Sequence, residues 1–136
     1  FFAFPEFCGP GFALQEEKHQ AMLRGGVLRK VGTKEEVDLL AAMFEASAFQ
    51  VNALIQEVIE PGKESGATFD DLWKFSLANY HSGSGCLRNA LWSVTRLGYP
   101  LTWENVKNQL NGICRGANDY VNRVYAYGND PYMKQK

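Results

Sequence analysis

The sequence F-S-L-A-N-Y-H-S-G-S-G-C-L at residues 75–87 joins two helical patterns through a glycine turn. The mostly apolar run at residues 72–77 predicts a packed helix that ends by presenting Tyr80 and His81. Two glycines follow, and glycine lets the backbone adopt conformations that other residues resist and lets a ligand approach closely. A plain corner between two helices, closed by a glycine stop, is the alternative interpretation.

Length, composition and charge limit the classes of protein to consider. A chain of 136 residues with 46% hydrophobic residues predicts one globular domain, spanning residues 1–136, with a real core. The net charge of −1 leaves no basic surplus, so we expect no nucleic-acid partner. No apolar stretch approaches membrane-spanning length. The start at Phe1, with neither a methionine nor a signal-peptide pattern, suggests a processed or excised piece whose natural start lies upstream.

The longest helical pattern precedes the opening stretch. T-K-E-E from Thr33 to Glu36 is a capping box, in which the threonine hydroxyl bonds the glutamate amide and the glutamate reaches back. Apolar residues then recur every three or four positions, and Leu39 and Phe49 widen the face. The recurring positions are Val37, Leu40, Met43, Phe44, Ser47, Val51, Leu54, Ile55 and Val58. We therefore predict that residues 34–60 form the longest and most buried helix.

Capping residues and apolar repeats place further helices around the turn. Thr68 and Asp71 form the [ST]-x-x-[DE] signal that starts the helix leading into the turn, and Thr102 caps a later helix. The helix after the turn starts at Ser84 or Gly85. The inward positions of the helices after the turn are Leu87, Ala90, Leu91, Val94 and Leu97, then Trp103, Val106, Leu110 and Ile113, then Tyr120, Val121, Val124 and Tyr125.

The whole chain is predicted to be all-α, because no segment shows the alternation of paired strands. About six helices are expected, from a short, weakly amphipathic one at residues 13–23 to a last one at residues 118–127. Residues 128–136 are expected to form a mobile tail.

The cysteines are Cys8, Cys86 and Cys114. They show no C-x-x-C or Cys/His spacing, so neither a metal nor a cofactor is predicted. Cys86 opens one predicted helix and Cys114 closes another, so a bridge between them is geometrically feasible and would leave Cys8 over. Three buried free thiols in a cytosolic protein are the alternative.

The order A-x-Y-H-x-G-x-G at residues 78–85 is more specific than a corner requires. It resembles the A-x-Y-N-x-G-x-G motif of the lytic transglycosylases, relatives of goose-type lysozyme. His81 stands where the family usually has asparagine, and Ser84 where it often has proline. The positions that match the motif are Ala78, Tyr80, Gly83 and Gly85.

The resemblance continues towards the end of the chain. The segment G-A-N-D-Y-V-N-R-V-Y-A-Y resembles the closing segment of the family, in which a Tyr-Val pair, here Tyr120 and Val121, heads the last helix. Asn52 lies near a position where the family often has asparagine. The similarity spans roughly residues 50–127, the second half of such a domain.

The resemblance implies a lysozyme-like all-α fold, an extracytoplasmic location, and peptidoglycan or a related β-1,4-linked glycan as partner. It favours a disulfide between Cys86 and Cys114, because disulfides persist outside the cytoplasm. Tyr80 would hydrogen-bond near the sugar ring, and Tyr120 would line the opposite wall of the groove. His81 would bond a sugar hydroxyl or cap the helix end. Core positions with satisfied hydroxyls are the alternative for both tyrosines.

The catalytic acid is where this chain departs from the family. Lytic transglycosylases use one glutamic acid from an upstream E-S motif, kept protonated by apolar surroundings, and the N-acetyl and 6-hydroxyl groups of the sugar do the rest. Here Glu64 precedes a serine but lies in a polar loop too close to Tyr80, and Ala46 replaces the glutamate in A-S-A-F. Glu6, in an aromatic and proline-rich setting, is the best remaining candidate, although an exposed loop carboxylate is its simpler interpretation.

Three functions remain open at this point. The first is cleavage of peptidoglycan by a lytic transglycosylase-type domain with a single general acid. The second is a catalytically inactive relative that binds glycan or serves as a structural subunit of a larger assembly, with a protein partner. The third is an unrelated helical interaction domain. An upstream E-S helix would favour the first, a natural N-terminus near Phe1 would favour the second, and a fold without a groove beside Tyr80 would leave the third. The most informative observation is the position of carboxylates around Tyr80.

Overall fold

The structure is a computed structural model that describes Met22 and residues 34–127, with side chains described for Met22 and for residues 46–126. It contains α1 (Lys34–Val58), α2 (Phe69–Ser82), α3 (Ser84–Arg96), α4 (Trp103–Val106) and α5 (Gly116–Tyr127). Two 3-10 helices, Lys107–Gln109 and Gly112–Arg115, lie between α4 and α5. No strand occurs in these described ranges, which confirms the predicted all-α class.

Several predictions concern residues outside the described part of the chain. They are the roles of Glu6 and Cys8, the helix at residues 13–23 apart from its helical and buried Met22, the cap at Thr33 and the tail at residues 128–136. Across the described ranges, no helix combines the length and the apolar character that a membrane crossing requires.

α1 is the longest helix described, with 25 residues, as predicted. The hydrophobic side chains that its second half buries are Ala48, Val51, Leu54, Ile55 and Val58, at helical spacing. The expected inward position of Phe49 is wrong, because its side chain is 51% exposed. At 100° per residue, Phe49 lies roughly 150° around the helix from the centre of that buried stripe. The side chains of residues 34–45 lie outside the described part.

α2 is the centre of the described fold and begins at the predicted capping box. Thr68 Oγ1 accepts the backbone N–H of Asp71 at 3.1 Å, and Asp71 Oδ2 accepts that of Thr68 at 2.9 Å. Asp71 Oδ1 also accepts the backbone N–H of Trp103 at 3.0 Å, which ties the start of α2 to the start of α4. α2 contacts all four other α-helices and buries Trp73 and Phe75 completely. The sequence motif therefore sits on the helix that organises the packing.

α3 begins at Ser84, as predicted, and only Gly83 separates it from α2. Gly83 has φ +88° and ψ 165°, a region of backbone space open essentially to glycine. The expected inward position of Leu97 is wrong, because that side chain is 55% exposed. α3 ends one residue earlier, and the chain then turns at Gly98, with φ +79°, which leaves Leu97 at the rim. The positions that do pack inward are Leu87, Ala90, Leu91 and Val94.

The predicted helix after Thr102 is much shorter than its apolar pattern indicates. Thr102 caps α4 as predicted, through a bond from the Asn105 N–H to its hydroxyl at 3.3 Å. The helix stops after four residues, and the chain becomes extended at Leu110. The helical phase is lost there, so Leu110 is buried but Ile113 is 96% exposed, and its expected inward position is wrong.

The predicted disulfide between Cys86 and Cys114 is confirmed, with Cα atoms 5.6 Å apart. It joins the first turn of α3 to the 3-10 helix that leads into α5. The start of α5 is thereby held beside the junction of α2 and α3. The buried face of α5 consists of Ala117, Tyr120, Val121 and Val124, close to the predicted one.

Candidate functional site

An open cleft of about 600 Å³ lies where α1 passes the end of α2. Its lining residues are Ala46, Ser47, Phe49, Gln50, Asn79 and Tyr80. The side chains of Tyr80 and Phe49 are 38% and 51% exposed, so two aromatic rings are accessible there. Tyr80 is therefore not sealed in the core. Among these lining residues none carries a carboxylate.

The inner side of the cleft is a chain of hydrogen bonds between α1 and α2. Ser47 Oγ donates to the backbone carbonyl of Ser76 at 3.1 Å. Asn79 Nδ2 donates to Ser47 Oγ at 2.9 Å and to Gln50 Oε1 at 2.9 Å. Ser47 and Asn79 are both buried, whereas Gln50 is exposed. Buried polar groups are costly unless they are paired, so this chain of bonds fixes how the two helices meet at the cleft.

His81 and Tyr120 are brought together next to the cleft, at the end of α2. Their rings stack with centroids 4.5 Å apart and an interplanar angle of 24°. Tyr120 is only 6% exposed, whereas His81 is exposed and its Nδ1 lies 2.9 Å from the Ser82 hydroxyl. The guanidinium carbon of Arg123 lies 6.0 Å from the centroid of the Tyr120 ring. Tyr120 thus supports His81 from the core side.

The disulfide helps to hold the first turn of α5 beside His81. Cys114 lies two residues before the start of α5, and its partner Cys86 lies three residues after Gly83. A Cβ atom placed on Gly116 would lie 3.6 Å from His81 Cε1, which is ordinary contact distance. The cross-link therefore holds the first turn of α5 against the His81 ring.

Three of the predicted glycan-site residues lie in the described part of the chain. Tyr80 lines the cleft, and His81 and Tyr120 form a stacked pair beside it. Glu6, the predicted acid, lies outside the described residues. The glycan-binding roles of Tyr80, His81 and Tyr120 stay predictions.

Ser47, Gln50 and Asn79 are cleft residues that the sequence pattern does not single out as functional. A signal exists, because Ser47 and Asn79 are polar residues at positions where the helical repeat favours apolar ones. Burial of a polar residue implies a hydrogen-bond partner, but which partner it finds depends on the packing of α1 against α2.

Two further cavities lie away from this cleft, around residues 59–67. Their volumes are about 690 and 500 Å³, and Tyr99, which is 58% exposed, lines the smaller one. Among the described residues no group of three or more histidine, cysteine, aspartate or glutamate side chains is arranged to hold a metal ion. Of these three cavities in the described part of the chain, the cleft at Tyr80 combines exposed aromatic rings with hydrogen-bonded amides.

Comparison with known proteins assigns no family to this chain. No protein-family model matches it, and neither a curated protein nor a solved structure is significantly similar to it. The case for a function therefore rests on the cleft geometry and on the motif in residues 78–85.

Proposed function

We propose that this chain is a lysozyme-like helical domain that binds peptidoglycan, or a related β-1,4-linked glycan, in the cleft at Tyr80. The observation that carries the proposal is the pairing of two accessible rings, Tyr80 and Phe49, with the amide of Gln50 in one open cleft. Aromatic rings pack against the apolar faces of sugars, and a few fixed polar groups orient the hydroxyl and acetamido groups.

Cleavage of that glycan is the enzymatic form of the proposal. A lytic transglycosylase-type reaction requires one carboxylic acid that protonates the leaving oxygen, and Glu6 is the candidate in this chain. Tyr80 would hydrogen-bond near the sugar ring at the cleavage site. The assay is release of 1,6-anhydro muropeptides from purified cell wall by wild type, Glu6→Gln and Tyr80→Phe. Release that survives Glu6→Gln would exclude Glu6 as the acid.

Glycan binding without cleavage is the second candidate, and the composition of the cleft favours it. The described lining residues supply rings, a hydroxyl and amides but no carboxylate, which suits recognition rather than acid catalysis. In this form the domain binds glycan or acts as a structural subunit of a larger assembly, with a protein partner. Absence of muropeptide release together with retained glycan binding would identify this form.

The proposed location is extracytoplasmic. The disulfide between Cys86 and Cys114 supports it, because such bonds persist mainly in oxidising compartments. A peptidoglycan partner would be met in the same compartment.

Binding to purified peptidoglycan sacculi tests the proposal directly. Tyr80→Ala removes a ring from the cleft, and we expect it to weaken binding by about tenfold or more. Tyr99→Ala is the matched control, because it removes an exposed tyrosine beyond the far end of α3, which has 13 residues and is about 20 Å long. Equal binding by both variants and wild type would contradict the proposed site.

A further inference from the structure

In the chain of hydrogen bonds behind the cleft, each group has a fixed role as donor or acceptor, and the roles are set by the backbone carbonyl at one end. The carbonyl oxygen of Ser76 can only accept, so the single hydroxyl proton of Ser47 is used on it at 3.1 Å. Ser47 Oγ must then accept from its other neighbour. Asn79 therefore presents its NH₂ group rather than its oxygen to Ser47, at 2.9 Å.

The same order of donors and acceptors continues from Asn79 to Gln50. Both hydrogens of Asn79 Nδ2 are used, one on Ser47 Oγ and one on Gln50 Oε1 at 2.9 Å. Gln50 is therefore held with its oxygen towards the buried Asn79. Asn79 Oδ1 is buried without a hydrogen-bond partner among the described residues, which costs free energy that the two bonds from Nδ2 must offset.

Gln50 consequently keeps both of its N–H donors, whereas its oxygen is turned towards Asn79 and already accepts one hydrogen bond. It lines the cleft, is exposed, and has no second hydrogen-bond partner in the part of the chain that the structure describes. The polar group displayed beside Tyr80 and Phe49 is thus a donor. A ligand placed between these rings meets the two N–H donors of Gln50, which match an acceptor oxygen.

We infer that Gln50 is the specificity-determining residue of the cleft, and that it selects saccharides carrying an acetamido carbonyl over their deacetylated, ammonium-bearing counterparts. The inference rests on the proposed glycan-binding function. Asn79 is its positioning residue, since it fixes which end of the Gln50 amide faces the ligand. An ammonium group presents only donors, so it cannot accept from the Gln50 NH₂ group, whereas an acetamido carbonyl can.

Gln50→Glu is the decisive substitution, because it keeps the shape of the side chain and the bond to Asn79. One carboxylate oxygen still accepts from Asn79 Nδ2, and the other replaces the NH₂ group with an acceptor that carries negative charge. The probes are the tetramer of β-1,4-linked N-acetylglucosamine and the fully deacetylated tetramer, with the two affinities measured by calorimetry at one pH and salt concentration. Gln56→Glu, at an exposed position on the same helix, controls for the added charge.

We expect wild type and Gln56→Glu to prefer the acetylated tetramer by about tenfold or more, and Gln50→Glu to reverse the preference. Asn79→Ala releases the Gln50 amide to rotate, and we expect the ratio of affinities to fall towards one. The ratio is a readout that loss of stability alone does not move. An unchanged ratio in Gln50→Glu, with acetylated tetramer still bound, would overturn the inference and leave the glycan site standing. Binding of neither tetramer by a folded wild type would overturn the proposed function as well.

Discussion

Alanine at Gly83 and alanine at Gly85 should change stability in opposite directions, although the two glycines belong to one motif. Gly83 has φ +88° and ψ 165°, where a residue with a side chain costs about 1–3 kcal/mol. A Cβ placed there would meet nothing within 4 Å, so the penalty comes from the backbone conformation alone. We expect Gly83→Ala to lower the free energy of unfolding by that amount.

Gly85 is the internal control for this argument. It lies in the first turn of α3 with helical geometry, and a Cβ on it would also meet nothing within 4 Å. Alanine has the higher helix propensity and a less flexible unfolded state, so Gly85→Ala should be neutral or stabilise by up to about 1 kcal/mol. The two variants add the same methyl group two residues apart, and only the backbone angle differs.

The measurement is urea unfolding of wild type and both variants, followed by circular dichroism. A fall in the midpoint with an unchanged slope for Gly83→Ala would report a loss of native stability. Gly83 is the only residue between α2 and α3, so its relaxation would also tilt Tyr80 and His81, and binding to sacculi should weaken along with stability. Equal stability of the two alanine variants would refute the reasoning.

Two further predictions concern contacts that hold the helices together. Replacing Cys86 and Cys114 by serine opens a loop with a sequence separation of 28, which by chain entropy should cost about 3.6 kcal/mol relative to oxidised wild type, measured by urea unfolding with reduced wild type as the control. If the double serine variant matches oxidised wild type instead, the cross-link adds nothing to stability. Asp71→Ala removes the acceptor for the backbone of Thr68 and of Trp103 and should cost about 1–3 kcal/mol, whereas Asp119→Ala, at an exposed position in the first turn of α5, should cost less than about 0.5 kcal/mol. Equal losses for the two aspartates would contradict the bridging role of Asp71.

The sequence by itself determined the local features of the fold. The starts of α2 and α4 follow from Thr68 and Thr102, because a capping bond joins atoms three residues apart and needs no distant partner. The stop at Gly83 follows in the same way from one residue's backbone freedom. The length of α1 follows from its sustained apolar repeat.

Burial at the ends of elements was decided by the tertiary structure. Leu97 and Ile113 continue apolar repeats in the sequence, yet both are exposed, because a helix ends or changes to a 3-10 turn just before them. The exposure of Phe49 is a different case, because its position about 150° from the centre of the buried stripe already follows from the helical repeat of the sequence. An apolar repeat in the sequence gives the spacing of the positions that face the core. It does not give the residue at which the helix ends.

The chemistry of the candidate site was likewise decided by packing. The motif predicts that Tyr80 and His81 lie at the end of a helix, but it does not predict which side chains they contact. The stacking of His81 on Tyr120 joins residues far apart in the chain, which the packing of α5 on α2 and the disulfide before α5 hold together. The direction of the Gln50 amide depends on a carbonyl of α2, reached through Ser47 and Asn79, and exists only once the two helices have docked. A side-chain amide turns its NH₂ group towards the nearest acceptor, and which acceptor is nearest depends on how the helices pack.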